Sequence, residues 1–303
     1  MGESSITKEM SQPLLHVMIP AYGKSPHLEE TLISACKNLG DTVLISVVED
    51  PSKINVIKDI VEKFEPRVNY IKNEKRLGIA NNFNRCLEIS QGVYTQICGH
   101  DDLIIKDPTV HLENIVKEGV KASSLVFSAK VLDNSRNKKL KLADLAKYIL
   151  KPREKTLKKM NNKKFLERLM MGYWIYFPAV LWQTEVSRKY RFDEQFKSAM
   201  DLDFFIDMNI NKEEFIFKDE VIVAYRRHEN SASSQNTISG DRFFEEIKCH
   251  RKVANYAKSM KYRKLVFLAK IALSVRANAI ITTLFSHLGL KIKISNFKKI
   301  IST

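Results

Sequence analysis

Leu14-Leu15-His16-Val17-Met18-Ile19 is an apolar run of strand length, stopped by Pro20. The pattern continuing from it sets the architecture. His27 to Leu39 carries apolar residues at 28, 32, 35, 36 and 39, the spacing of one helix face. Val43 to Val48 is a second apolar run and ends at Glu49-Asp50-Pro51-Ser52. Residues 52–64 return to helical period, and Val68-Asn69-Tyr70-Ile71 is a short third strand. Residues 78–90 then read as a helix and Val93-Tyr94-Thr95-Gln96-Ile97 as a fourth strand. Strand and helix alternating at this pace predict βαβ units and a parallel sheet. In such sheets ligands bind beyond the carboxyl ends of the strands.

The rest of the composition narrows the class. At 303 residues, 44% hydrophobic and 28% charged, the chain can bury a core of one or two domains. Its four cysteines (36, 86, 98 and 249) form no C-x-x-C. That excludes a zinc ribbon, a thioredoxin-like motif and a disulfide scaffold, and it fits a reducing compartment. The first thirteen residues are polar, and no run of about 18 apolar residues occurs, so the expected location is cytoplasmic. No G-x-G-x-x-G follows the first strand and no G-x-x-x-x-G-K-[ST] occurs, which disfavours a Rossmann dinucleotide enzyme and a P-loop NTPase.

Charge divides the chain. Residues 1–130 hold 15 basic and 17 acidic side chains, whereas 131–303 hold 35 and 18. The basic excess concentrates in 136–168 and 242–303. A near-neutral first half joined to a basic second half suggests a catalytic core with an anion-facing appendage. A basic nucleic-acid-binding protein is the competing class, but no helix-turn-helix, zinc finger or RNP-like run is present.

The strand ends carry the chemistry. His100-Asp101-Asp102, after the fourth strand, sets two carboxylates side by side. A hard cation, Mg²⁺ or Mn²⁺, would relieve their repulsion and bridge a substrate diphosphate. The plainer alternative is that they cap the helix beginning near Pro108 or sit in a turn.

Four stretches in order resemble the family 2 glycosyltransferases, inverting enzymes of the GT-A fold. They are Val17-Met18-Ile19-Pro20-Ala21-Tyr22, Val47-Val48-Glu49-Asp50-Pro51-Ser52, Asn73 to Asn84, and Gly99-His100-Asp101-Asp102. The resemblance covers roughly residues 14–235 and extends to the bacterial surface-polysaccharide type. It implies an α/β GT-A-like, mostly parallel sheet flanked by helices. Residues 14–130 would form the nucleotide-sugar half and 131–235 the acceptor half, followed by a basic amphipathic helical region over 236–303. By the same resemblance Pro20, Ala21 and Tyr22 line the base pocket and Asp50 bonds the base. Arg76 serves the diphosphate or the base edge. Asn81 lies in the donor-binding stretch, Asp101 lies near the ribose or donor sugar, and Asp102 is the metal ligand. Gly99 departs from the family, which usually has Asp there.

Arg191-Phe192-Asp193-Glu194 followed by Ala199-Met200-Asp201-Leu202-Asp203 resembles the family's segment that carries the general base. Carried over, the base is Asp201, with Asp203 as rival; Met200 stands where the family has Glu. Two residues apart on a helix do not share a face, so only one can enter the site. Tyr225-Arg226-Arg227-His228 resembles the family's Y-R-x-H stretch. It implies Arg226, or Arg227, on the diphosphate and His228 beside Asp102 at the metal. Gly172 to Ala179 is strongly aromatic and reads as a strand-like wall, its Trp174 and Tyr176 either stacking on an acceptor sugar or packing in the core. The basic, helically periodic tail 241–303 either lies on an anionic membrane surface or packs on the core. The expected reaction is transfer from a nucleotide diphosphate sugar, UDP-linked, to a hydroxyl of a saccharide or lipid-linked saccharide. A non-catalytic nucleotide-sugar binder is the remaining alternative.

Overall fold

The computed structural model describes residues 12–133, 147–227 and 241–277. Strand β1 (Leu15–Tyr22) is buried from its first residue to Ala21. A strand covered on both faces reads as a continuous apolar run, which is why Leu14–Ile19 shows no alternation. Helix α1 (Leu28–Asn38), strand β2 (Leu44–Asp50), helix α2 (Ile57–Glu62) and strand β3 (Asn69–Lys72) come next. Helix α3 (Ile79–Ile89) leads to strand β4 (Tyr94–Ile97). The pairs β1–β2, β2–β3 and β1–β4 are all parallel.

Beyond β4 the chain changes habit. It adds β5 (Leu103–Ile104), helix α4 (Thr109–Lys117), β6 (Ser124–Asp133), β7 (Lys158–Met160), helix α5 (Asn162–Met171), β8 (Val180–Gln183) and the short helix α6 (Thr184–Ser187). Helix α7 (Met200–Ile210) and β9 (Phe215–Arg227) complete the nine-stranded sheet, ordered β3-β2-β1-β4-β8-β6-β9-β5, with β7 on β9. Strand β8 runs antiparallel to both β4 and β6, and β9 runs parallel to β6. Thus β1, β2, β3, β4, β6 and β9 share one direction. The aromatic stretch 172–179 is loop and a 3₁₀ turn over Phe177–Ala179, not strand; β8 begins only at Val180. Pro178 removes a ladder donor there, which favours the turn.

Two cores cover the two sheet faces. Leu15, Val17, Ile19 and Ala21 of β1 meet Leu28 and Leu32 of α1, Ile57 of α2 and Leu112 of α4. Met18 points to the opposite face, whose core holds Cys86 of α3, Phe165 of α5 and Phe204 of α7. That second core also takes Val253 and Ala257 of helix α8 (Asp241–Ser259) and Leu265 and Ala269 of helix α9 (Arg263–Ile271). Of the apolar stripe expected of the tail, Val253, Ala257 and Leu265 pack inward, whereas Met260 and Ile271 are exposed. Among the described residues, no helix is long and apolar enough to cross a membrane. All four cysteines are free thiols.

His16 sits in the first core strand with both ring nitrogens bonded. Its Nε2 lies 2.8 Å from Ser46 Oγ, and its Nδ1 accepts the Gln91 amide at 3.0 Å. Burial pushes its pKa down to about 4, so the ring is neutral.

Candidate active site

The carboxyl ends of β1, β2 and β4 converge on one cleft edge. Tyr22, last residue of β1, is 44% exposed, and the Arg76 guanidinium lies over its ring at 4.7 Å. Pro20 and Ala21 precede it inside the strand, buried. Asp50, last residue of β2, is buried; its two oxygens accept the Leu77 amide at 2.6 Å and the Gly78 amide at 2.9 Å. Gly78 takes φ +81°, a left-handed conformation that favours glycine, as α3 begins. Asp50 thus anchors the loop carrying Arg76 and aims it back over Tyr22.

The asparagines of the next stretch have structural partners. Asn82 receives Asn73 at 2.8 Å and donates to the Val48 carbonyl at 3.3 Å. Asn84 bonds both the amide and the carbonyl of Phe192, at 2.8 and 3.0 Å. Asn81, expected near the donor, donates to Glu194 at 2.7 Å, so it bridges α3 to the segment before α7.

The acid pair after β4 is asymmetric. Asp102 is 2% exposed, and its Oδ1 accepts the Arg226 amide at 2.9 Å. Burial and the neighbouring Asp101 carboxylate hold its pKa well above the usual range, against backbone hydrogen bonds from Arg226 and Gly99. Asp101 is the half-buried member. A Cβ at Gly99 would stand 2.6 Å from Asp102 Oδ2 and 2.7 Å from Asp101 Oδ1. The side chain missing from Gly99 is therefore the space into which both carboxylates fold.

Arg226, expected on the diphosphate, is 8% exposed. Its Nε donates to the Asp101 carbonyl at 2.9 Å and its Nη2 to Glu30 of α1 at 2.5 Å. Helix α1 holds the same loop at three more points. Thr31 donates to the His100 carbonyl at 3.0 Å, Asn38 donates to the Ile104 carbonyl at 2.9 Å, and Ser34 accepts the Ile104 amide at 3.0 Å. Sequence reading missed this set. The signal was a polar series at 30, 31, 34 and 38 on one helix face. His228, expected beside Asp102, lies outside the described residues, as do 136–146 and 278–303 of the two basic stretches and the boundary near 235.

Asp201 and Asp203 open α7 and point apart. Asp203 is buried and pairs with Lys252 of α8 at 2.8 Å, and Lys252 also reaches Asp207 at 2.7 Å. Asp201 instead accepts the Tyr173 hydroxyl at 2.7 Å and the Leu202 amide at 2.8 Å. Burial raises the pKa of both. Glu245 of α8, only 6% exposed, accepts the amides of Lys197, Ser198 and Ala199 at 2.9, 2.8 and 3.0 Å. A carboxylate there satisfies donors at the N-terminal end of α7 and favours its dipole. Nothing near 201 in the sequence marks this contact, because its partner lies 46 residues away.

A cavity of about 380 Å³ opens between β6, β9 and residues 147–152, lined in part by Lys147, Tyr148, Lys151, Trp174 and Tyr176. Lys147 Nζ sits over the Tyr176 ring at 4.2 Å and the Tyr173 ring at 5.4 Å, so the cavity adjoins the Asp201 neighbourhood. Trp174, 5% exposed, also belongs to the core, which fits the packing reading at that position.

A family model described as Glycosyl transferase family 2 matches residues 16–179, more than half of the chain. An uncharacterized glycosyltransferase of Methanocaldococcus jannaschii is 26% identical over 225 residues, 72% of each chain. Another, from Rickettsia prowazekii, is 25% identical over 228 residues, 74% of this chain and 67% of its own. Among solved structures, S. aureus TarS in complex with UDP-GlcNAc is similar with a TM-score of 0.59 and 19% identity, covering 80% of this chain and 67% of that one. The mannosyltransferase PcManGT of Pyrobaculum calidifontis, in complex with GDP-Man and Mn²⁺, has a TM-score of 0.55 and 13% identity, covering 93% and 82%. These likenesses show a common GT-A-like fold.

Proposed function

The chain belongs to glycosyl transferase family 2, a family of glycosyltransferases, and from that premise we propose that it is an inverting, metal-assisted transferase using a UDP-linked sugar. The acceptor is a hydroxyl of a saccharide or lipid-linked saccharide, as in cell-surface polysaccharide synthesis. The observation that carries the reading is the separation of two carboxylates on one helix: Asp203 is bound to Lys252, while Asp201 is bonded to Tyr173, whose ring lies by the cavity-lining Lys147. The UDP-GlcNAc held by TarS supports uridine as the base.

The roles rest on the geometry. Tyr22 and Arg76 form the base end, with Asp50 fixing their loop. Asp201 takes the proton of the acceptor hydroxyl as its oxygen attacks the anomeric carbon from the face opposite the nucleotide. The anomeric bond to the diphosphate breaks, and configuration inverts. The Asp101–Asp102 pair offers hard oxygen donors suited to Mn²⁺ or Mg²⁺, with Asp101 the more exposed member. Such an ion would neutralise charge on the departing diphosphate. Arg226 braces the acid loop against α1, and Arg227, next to it in the same stretch, is the alternative cation for the diphosphate. Any contact with an anionic membrane surface would use the Lys and Arg side chains of α8 and α9 together with the exposed Phe267 and Ile271.

Thermal melting with UDP, GDP, CDP and dTDP, each with and without Mn²⁺, tests the reading. A ligand at a hundred times its dissociation constant stabilises the folded state by about 2.7 kcal/mol. UDP should raise the melting temperature, and more so with Mn²⁺. No shift with any nucleotide would sink the proposal.

A further inference from the structure

The Asp201 carboxylate is gripped on both oxygens, and one grip is a side chain with no part yet in the transfer reaction. Oδ1 accepts the adjacent Leu202 amide at 2.8 Å, and Oδ2 accepts the Tyr173 hydroxyl at 2.7 Å. The ring of Tyr173 is itself fixed. It lies 6.4 Å from the Phe205 ring of α7, and the Lys147 ammonium stands 5.4 Å above it. Gly172 sets its entry: a Cβ there would stand 2.5 Å from Leu150 Cδ1. Such packing leaves the phenol one place to donate. Each carboxylate oxygen has two lone pairs, so a bond to each still leaves room for an acceptor hydroxyl.

We propose that Tyr173 is a positioning residue for sugar transfer: its phenol O–H holds Asp201 in one orientation and favours its carboxylate form. This rests on the reading of Asp201 as the base.

The surroundings support the second part. Burial pushes Asp201 up, and Tyr173, the Leu202 amide, Lys147 and Arg242 of α8 act against that push. Arg242 is paired with Glu246 at 2.7 Å. Tyr225 of β9 faces Tyr173, and Cys249 of α8 lies within the field of Asp201. Tyr173 itself is held well above its ordinary value by burial and by Asp201, so it remains a donor across the working range. Deleting the donor removes a charge-assisted hydrogen bond to the ionised base.

The test is the pH profile of kcat/KM for Tyr173→Phe beside Asp201→Asn. Tyr173→Phe should move the acid limb up by about one pH unit, a tenfold change in the ionisation of the base. It should also lower kcat about tenfold while leaving KM for the donor and UDP binding unchanged. Incorporating 3-fluorotyrosine at position 173 keeps the shape and strengthens the donor, so the limb should move down; this holds the test open if the Phe variant folds poorly. A wild-type limb in both variants overturns the inference, provided Asp201→Asn is inactive. Full turnover in Asp201→Asn overturns the underlying assignment of the base instead.

Discussion

Two acid-bearing regions of the molecule are built differently. At the end of β4, the Asp102 carboxylate is sealed at 2% exposure and bonded to the Arg226 backbone. At the start of α7, the Asp201 carboxylate is bonded to the hydroxyl of Tyr173, whose ring lies 5.4 Å from the ammonium of cavity-lining Lys147. Burial raises the pKa of both. A raised pKa alone therefore does not separate a carboxylate that holds the fold from one that does chemistry. The partners do. Asp102 ties loop to strand, whereas its neighbour Asp101 is the more exposed of the two. Asp203 repeats the lesson within α7, since Lys252 commits it to α8.

The sharpest way to break this contrast is Asp201→Asn. Removing a general base costs on the order of 10²–10⁴ in rate. Turnover should fall by that amount in steady-state assays, with UDP binding and melting temperature close to wild type. Retained turnover would remove Asp201 from the chemistry.

Next comes a pH test that separates the buried carboxylates from buried imidazole. His16 has a folded pKa of about 4 against about 6.5 unfolded, so the unfolded chain binds the proton first. Stability from the neutral ring is complete above about pH 6.5 and is lost as pH falls towards 4. The carboxylates with raised values, Asp102, Asp201 and Asp203, act with opposite sign: as pH falls through their folded values they regain stability. The stability difference between wild type and His16→Gln should therefore shrink by about 3 kcal/mol between pH 7 and pH 4, at about 1.36 kcal/mol per unit. Urea melts at the two pH values measure it. An unchanged difference would place the acid sensitivity elsewhere.

Asp102→Ala and Asp101→Ala divide the acid pair. The first strands the buried Arg226 amide and should cost about 1–3 kcal/mol of stability in urea melts. The second should leave the melt near wild type while weakening the Mn²⁺-dependent part of the UDP shift. Reversed outcomes would make Asp102 the substrate-facing member.

Glu245→Gln is the gentlest probe. Loss of the charge at the N-terminal end of α7 should cost about 1 kcal/mol in stability. An effect on kcat beyond that on stability would mean that the base is sensitive to how its helix is seated.

The sequence was most legible where contacts are local or periodic. The βαβ alternation, the strand ends at Tyr22 and Asp50, the acid loop after β4, and the helical spacing of Val253, Ala257 and Leu265 can all be read from the sequence. It was least legible where partners are distant. The bond of Arg226 to Glu30, 196 residues away, has no local mark in the sequence. The choice within Asp101–Asp102 depends on which carboxylate turns inward, and adjacent identical residues carry no signal for that. The wall at 172–179 reads as strand from its aromatics, yet a proline-bearing turn forms there, and the antiparallel insertion of β8 between β4 and β6 has no periodic signature.

The grip of Glu245 on the segment entering α7 bears on how such proteins can be recombined. Exchanging acceptor-side halves between relatives at a seam near residue 235 would separate Glu245 and Lys252 from the amides and carboxylates they serve. A workable crossover has to carry 241–259 together with α7, so the unit of inheritance for this half extends past the last strand of the sheet.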